Sequence, residues 1–282
     1  MFRLTVILAQ LRYNSLMIDI MTEAARAGGK VLLSYFQKEL QISHKTSHQN
    51  LVTQADVESQ KIIQATIVKL MKAKGYQEEE IGFIGEEGNL RVKGKFTFVI
   101  DPLDGTSNFA SGIEFFGVYI ALLVDRELQA GVMYAPVFDE IYFAQKDKGA
   151  YKEKNSRVNK LELAVKPLKE QILGTYFTSD TKKRDNTNKK VFQLAKHLRG
   201  LRCYGGISGI MLLENYCNIY VEGSPKLWDV AAEKIVVEEA GGKVCDWNGQ
   251  EISLHIDQPH QSHEVIVCHH SQIKEIVRLM NA

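Results

Sequence analysis

The stretch Lys95–Phe109 (KFTFVIDPLDGTSNF) constrains this chain more than any other. Phe96–Ile100 is an unbroken apolar run and reads as a buried strand. It ends on Asp101. Pro102 biases Asp101 toward extended backbone, and Gly105 permits a tight turn. Thr106, Ser107 and Asn108 suit the opening of a helix. Two carboxylates, Asp101 and Asp104, therefore meet at the carboxyl end of a strand, beside the N–H groups of a helix start. Held that close they repel unless a cation or a proton lies between them, while the N–H groups favour an anion. Cations beside an anion cradle are what metal-dependent phosphoryl chemistry needs.

The rest of the composition is that of an ordinary soluble globular chain. It has 282 residues, 45% hydrophobic and 24% charged, with a net charge of +1. That charge makes no broad case for nucleic acid or an anionic membrane as partner. Cys203, Cys217, Cys245 and Cys268 form no C-x-x-C pair, which fits reduced thiols in a cytoplasmic protein. The apolar segment Phe2–Leu11 is too short to span a bilayer, which takes about 20 residues. It resembles a weak signal core but lacks a small-x-small cleavage site. Residues 1–16 are therefore expected to be an extension ahead of Met17.

Taken in order, Ile18–Phe36 predicts a helix with Ile20, Ala24, Ala27, Val31 and Tyr35 on one face. Gly28-Gly29 is a soft spot in it. A polar stretch over 37–50 holds Lys45. Leu51–Asp56 leads into a second helix whose apolar face is Ile63, Ile67, Leu70 and Met71. Ile81–Gly88 gives a short apolar segment followed by two acids and a glycine. Strands are predicted over Val118–Val124, Gln129–Tyr134 and Ile141–Ala144, which implies an antiparallel or mixed sheet in the first half. The chain turns polar around Asn155–Glu170, so the two halves are taken as 17–155 and 156–282. In the second half, Ile172–Tyr176, Ile219–Val221 and Val265–Cys268 read as strands. Thr178–Lys190 reads as a charged, solvated loop. Helices are predicted over Val191–Arg199, Asp229–Ala240 and Ile273–Met280. Gly241-Gly242 ends the second of these. His255, His260 and His263 match no zinc spacing and are taken as surface residues.

Asp56, Glu86, Asp101, Asp104 and Asp229 each fall near the start of a helix or the end of a strand, where distant segments can converge on one cleft. Singly, each serves equally as a helix cap or a solvated charge. Together they form a hard oxygen set suited to Mg²⁺ or Mn²⁺ rather than zinc.

Four ordered motifs now resemble a known family. Asp101–Phe109 is similar to the D-P-[IL]-D-G-T-x-N-F signature of the inositol monophosphatase family. Trp228–Gly242 (WDVAAEKIVVEEAGG) is similar to its second signature, W-D-x-A followed by a helix and E-A-G-G. Leu51–Asp56 and Gly85–Gly88 match two further motifs, and the resemblance covers about 17–282. It implies a layered αβαβα sandwich of the inositol monophosphatase or fructose-1,6-bisphosphatase type, a homodimer, a Mg²⁺ cofactor of two or three ions and lithium sensitivity. The implied activity is hydrolysis of a small phosphorylated polyol or sugar by a metal-activated water. The alternatives are a fructose-1,6-bisphosphatase, another sugar or nucleotide phosphatase, or a non-catalytic regulatory binding protein. Nucleotide-type relatives carry Lys-Glu after D-G-T, where this chain has Ser107-Asn108.

Carried over by position, the resemblance implies that Glu86, Asp101 and the Leu103 carbonyl hold one metal, and Asp101, Asp104 and Asp229 a second. Asp56 and Thr106 lie beside the attacking water, which Glu86 helps orient. Gly105 and Thr106 offer backbone N–H groups to the phosphate. Asp104, Ser208 and Glu222 face the leaving group, and Lys45 is a basic residue of a loop near the metals. Glu222 as a surface acid and Lys45 as a solvated lysine are the plain alternatives. The passage Gly206–Ser208 departs from the family pattern of a glycine, a small polar residue and two alanines.

Overall fold

A computed structural model describes residues 2–36, 42–44, 51–88, 94–177 and 181–282. Helix α1 (Phe2–Tyr35) runs without a break through Met17, so the stretch ahead of Met17 continues the first helix. A two-stranded hairpin, β1 (Ile42–His44) and β2 (Leu51–Thr53), leads into α2 (Gln54–Ala73). α1 and α2 pack together on one face of a seven-stranded sheet. The Gly28-Gly29 pair explains how close they come. A Cβ on Gly28 would stand 2.7 Å from Ile63 of α2, and one on Gly29 would stand 2.4 Å from the Tyr134 ring.

The large sheet comprises β3 (Ile81–Gly85), β4 (Phe96–Asp104), β5 (Gly117–Val124), β6 (Glu127–Ala135), β7 (Glu140–Gln145), β8 (Gly149–Lys154) and β9 (Arg157–Leu161), in that spatial order. β3 and β4 are parallel and every other pair is antiparallel, giving the mixed sheet expected. A five-residue helix, α3 (Thr106–Ala110), follows β4. β8 and β9 were not anticipated, because their residues are mostly polar and half or fully exposed. They correct the division at 155, which falls in the turn of a hairpin. The first sheet reaches Leu161.

The second sheet orders β11-β10-β12-β14-β13, with β10 (Ile172–Thr175) and β11 (Gly200–Cys203) separated in sequence by α4 (Thr181–Ala195). α4 overturns the charged loop expected over Thr178–Lys190, since the helix begins ten residues before Val191. Its buried residues Thr187, Val191 and Leu194 fall at helical spacing and meet α7 (Ile273–Met280) on the outer face of this sheet. α5 (Ser208–Leu213) and α6 (Leu227–Glu239) flank β12 (Ile219–Glu222) in sequence, and β13 (Gly242–Cys245) and β14 (Val265–His269) complete the sheet. α5 and α6 lie between the two sheets in the largest apolar cluster. The layers therefore run helix, sheet, helix, sheet, helix. No helix among the described residues is long and apolar enough to cross a membrane.

Candidate active site

The site is built around a fault in β4. Its register with β5 is regular to Asp101↔Tyr119, then shifts before Asp104↔Gly117. Pro102 cannot donate to a ladder, and the bulge re-aims both acids. Asp101 Oδ1 accepts from the Leu103 N–H at 3.0 Å, closing a local turn. Thr106 Oγ1 donates to the Leu103 carbonyl at 3.0 Å. Gly105 takes φ +90°, and a Cβ there would stand 2.9 Å from the Phe115 carbonyl, so the turn accepts only glycine without rearrangement.

Other segments converge on this bulge. α2 passes beside it, with Ser59 Oγ donating to the Pro102 carbonyl at 3.1 Å. Asp56, 2% exposed, precedes Ser59 by three positions and so shares its helix face. Gln60, on the same face, clamps the loop after β3. Its Oε1 accepts from the Glu87 N–H at 3.0 Å and its Nε2 donates to the Glu87 carbonyl. That clamp holds the segment carrying Glu86. From the second half, α6 brings Asp229 in its first turn, where Oδ2 accepts from the Lys226 N–H as an N-terminal cap.

Asp101, Asp104 and Asp229 each place one carboxylate oxygen within 4.8 Å of the others. Asp101 is 1% exposed. Burial pushes its carboxyl well above the usual range, and Glu86, Asp104 and Asp229 push it further. Burial and Asp229 raise Asp104 to about 7, against the Ile207 N–H that donates to it. Asp229 is raised by burial as well. The charged neighbours acting on Asp101 are acids, and the Lys226 charge acts on Asp229 at the edge of the cluster. Three hard carboxylate oxygens this closely spaced, with more acidic than basic charge around them, fit a divalent cation.

Glu222 closes the strand end of β12. Burial raises its carboxyl, followed by the charges of Asp229, Asp104 and Glu233. The structure thus brings Glu222 into the electrostatic reach of the triad. Ser208 turns its hydroxyl inward instead, donating to Glu233 Oε2 at 2.7 Å. Lys45 lies outside the described residues. Several groups at the site escaped sequence reasoning. Tyr119, opposite Asp101 in the ladder, has its hydroxyl raised by burial and by Asp104, Glu233 and Asp101. Tyr176 at the end of β10 faces Ser107, Glu222 and Asp229. Glu233 had a readable signal, being an acid four residues after Asp229 on a helix face that is otherwise apolar.

A five-layer sandwich with a carboxylate triad at a bulged strand end, completed by a helix from its second half, defines a class of phosphatases. The inositol monophosphatase family model matches residues 14–279. The chain belongs to that family. It is 33% identical over 256 residues to the Nus factor SuhB of Xylella fastidiosa, covering 88% of each chain. It is 33% identical to inositol monophosphatase 2 of Solanum lycopersicum, covering 84% of this chain and 89% of the relative. The Thermotoga maritima IMPase superposes with a TM-score of 0.80 at 26% identity, over 94% of this chain and 96% of that one.

Proposed function

We propose that this protein hydrolyses small phosphate monoesters, inositol monophosphates and at least one sugar phosphate among them, with Mg²⁺ as cofactor. The observation that carries the reading is the Asp101–Asp104–Asp229 cluster, in which Asp101 is buried and the other two half-buried, with one carboxylate oxygen of each within 4.8 Å of the others. Asp101, Asp104 and Asp229 would hold one ion, and Asp101, Glu86 and the Leu103 carbonyl another. When bound, the ions supply charge neutralisation for phosphate and leaving group and favour ionisation of water.

The chain's own residues do the rest. Thr106 Oγ1, its own O–H donated to the Leu103 carbonyl, accepts a hydrogen bond from the attacking water, and the buried Asp56 carboxylate takes up that water's proton. Glu86, held by the Gln60 clamp on its neighbour, orients that water. The backbone N–H groups of Gly105 and Thr106 receive phosphate oxygens. Asp104 and Glu222 accept hydrogen bonds from hydroxyls of the leaving group, which is where choice between polyols arises. No serine or cysteine nucleophile is required. Lithium inhibition and a homodimer belong to the same reading.

The test is phosphate release from a panel of inositol, sugar and nucleotide phosphates, with Mg²⁺ and after chelation. Turnover of inositol and sugar monophosphates that vanishes on chelation and returns with Mg²⁺ is expected. Turnover that survives exhaustive metal removal, or no release from any monoester with Mg²⁺ present, overturns it.

A further inference from the structure

Ile207 precedes α5 in the left-handed region, at φ +50°, with its side chain 1% exposed. A β-branched residue is strained there and stays only where its surroundings over-determine it. Two contacts do so. The Ile207 N–H donates to Asp104 Oδ2. The next residue, Ser208, donates its hydroxyl to Glu233 Oε2 at 2.7 Å. Glu233 is 4% exposed and lies one turn beyond Asp229 on α6. Its Oε1 has no hydrogen-bond partner among the described residues. Space for it comes from Gly209, where a Cβ would stand 2.9 Å from Glu233 Cγ.

Burying this acid is costly, first through lost hydration and then through the charges of Asp104 and Asp229, with the Ser208 hydroxyl acting against both. An apolar residue would pack the same space at less cost. What an apolar residue could not do is accept the Ser208 hydroxyl.

We propose that Glu233 is a positioning residue for the cation site: through Ser208 it locks the left-handed Ile207, whose N–H holds Asp104, and so sets how tightly the Asp101–Asp104–Asp229 cluster takes a divalent ion. The proposal rests on the metal-phosphatase reading above. The link is a hydrogen bond rather than a charge, which separates it from simple electrostatic attraction by a fourth acid.

The test uses the full chain as wild type, S208A, E233A, the double variant and E233Q. Each is checked for native circular dichroism and titrated with Mg²⁺ by calorimetry. Loss of an outer partner typically weakens metal binding by about 10–100-fold. S208A and E233A are each expected to lose about tenfold, and the double variant no more than either, since both break one link. E233Q retains an acceptor oxygen and stays within about threefold of wild type. Hydrogen exchange on the metal-free protein follows the link without any ion. Exchange over residues 204–210 should quicken in S208A and E233A and not in E233Q. Additive losses in the double variant, E233Q as weak as E233A, or unchanged Mg²⁺ affinity in S208A and E233A overturn the proposal. A wild type that takes up no Mg²⁺ while the exchange pattern appears removes the phosphatase reading and the metal half of the proposal. It leaves the Glu233–Ser208–Ile207 link standing.

Discussion

Asp101 sits where burial and the negative charges of Glu86, Asp104 and Asp229 all act against its ionised form. A bound cation offsets the repulsion of those acids and favours the ionised carboxylate, so charge matters more than shape at this position. Asp101→Asn should therefore lower kcat by more than about a hundredfold, beyond the usual cost of losing an outer partner. The metal-free protein should melt at a higher temperature than wild type, because the substitution removes acid–acid repulsion. Calorimetric melting and phosphate release check the two halves separately, and near-native turnover would refute the role. Thr106→Ala should behave differently. Its hydroxyl bonds the Leu103 carbonyl rather than joining the carboxylate triad. Turnover should fall about 10²–10⁴-fold, the range of a lost proton-handling group, with Mg²⁺ affinity retained. A large loss of affinity would move Thr106 into the metal's own ligand set.

The elements depend on close backbone approaches that small residues allow. Gly29→Ala should gain about 1 kcal/mol of helix propensity in α1. The added Cβ would meet the Tyr134 ring at 2.4 Å, and overpacking of this kind costs about 1–3 kcal/mol. The clash wins because Tyr134 is itself tied down, its hydroxyl bonding Asp139 at 3.1 Å. Net destabilisation in urea melts is expected, and a stabilised variant would show that the ring can move aside. The same glycine pair, read in sequence, gave only the propensity cost, because the close contact comes from β6, a hundred residues away. Other elements divide in the same way. β4 and the start of α6 were legible, because an apolar run and a capping acid are local signals. β8 and β9 were not, since Lys152, Glu153, Lys154, Arg157 and Asn159 carry no apolar alternation. Part of β8 is held by ion pairs instead. Lys152 Nζ lies 3.1 Å from Glu140 and 2.7 Å from Glu214 at the end of α5. α4 hid behind its first ten polar residues, its apolar stripe showing only once Thr187 is counted with Val191 and Leu194. In the site, the triad was readable from motif and charge. Glu233 stands out as an acid on an apolar helix face, but its link to Ser208, like those of Ile207 to Asp104 and Gln60 to Glu87, joins residues far apart in the chain, which no local pattern exposes.

At the scale of the whole molecule, the site lies where the two sheets' layers meet, so the acids of both halves are desolvated together when the chain folds. Asp104 keeps its proton up to about 7 and Glu233 up to about 8 in the metal-free fold, against 3.8 and 4.5 for the free groups. Between those limits the folded chain binds more protons than the unfolded one. Stability from these two groups is thus fully present below about pH 4 and is lost as pH rises through about 7 and 8. Asp101, Asp229 and Glu222 face the same space with raised values and press in the same direction, while the Tyr119 hydroxyl, raised above its free value of 10.0, contributes only as pH nears that value. His263 and His269 are lowered and act oppositely, but only until free histidine loses its proton near 6.5. The buried thiols Cys217, Cys245 and Cys268 contribute only as pH nears their free value of 9.0. The window from about pH 7 to pH 8 therefore isolates the acidic cluster. The metal-free protein should lose melting temperature across that window. Saturating Mg²⁺ should flatten the profile, since an ion bound among the carboxylates stabilises their ionised forms and adds binding free energy to the fold. A metal-free melting temperature that stays level from pH 7 to pH 8, or an equal decline with and without Mg²⁺, would mean that these acids are not the groups governing stability there.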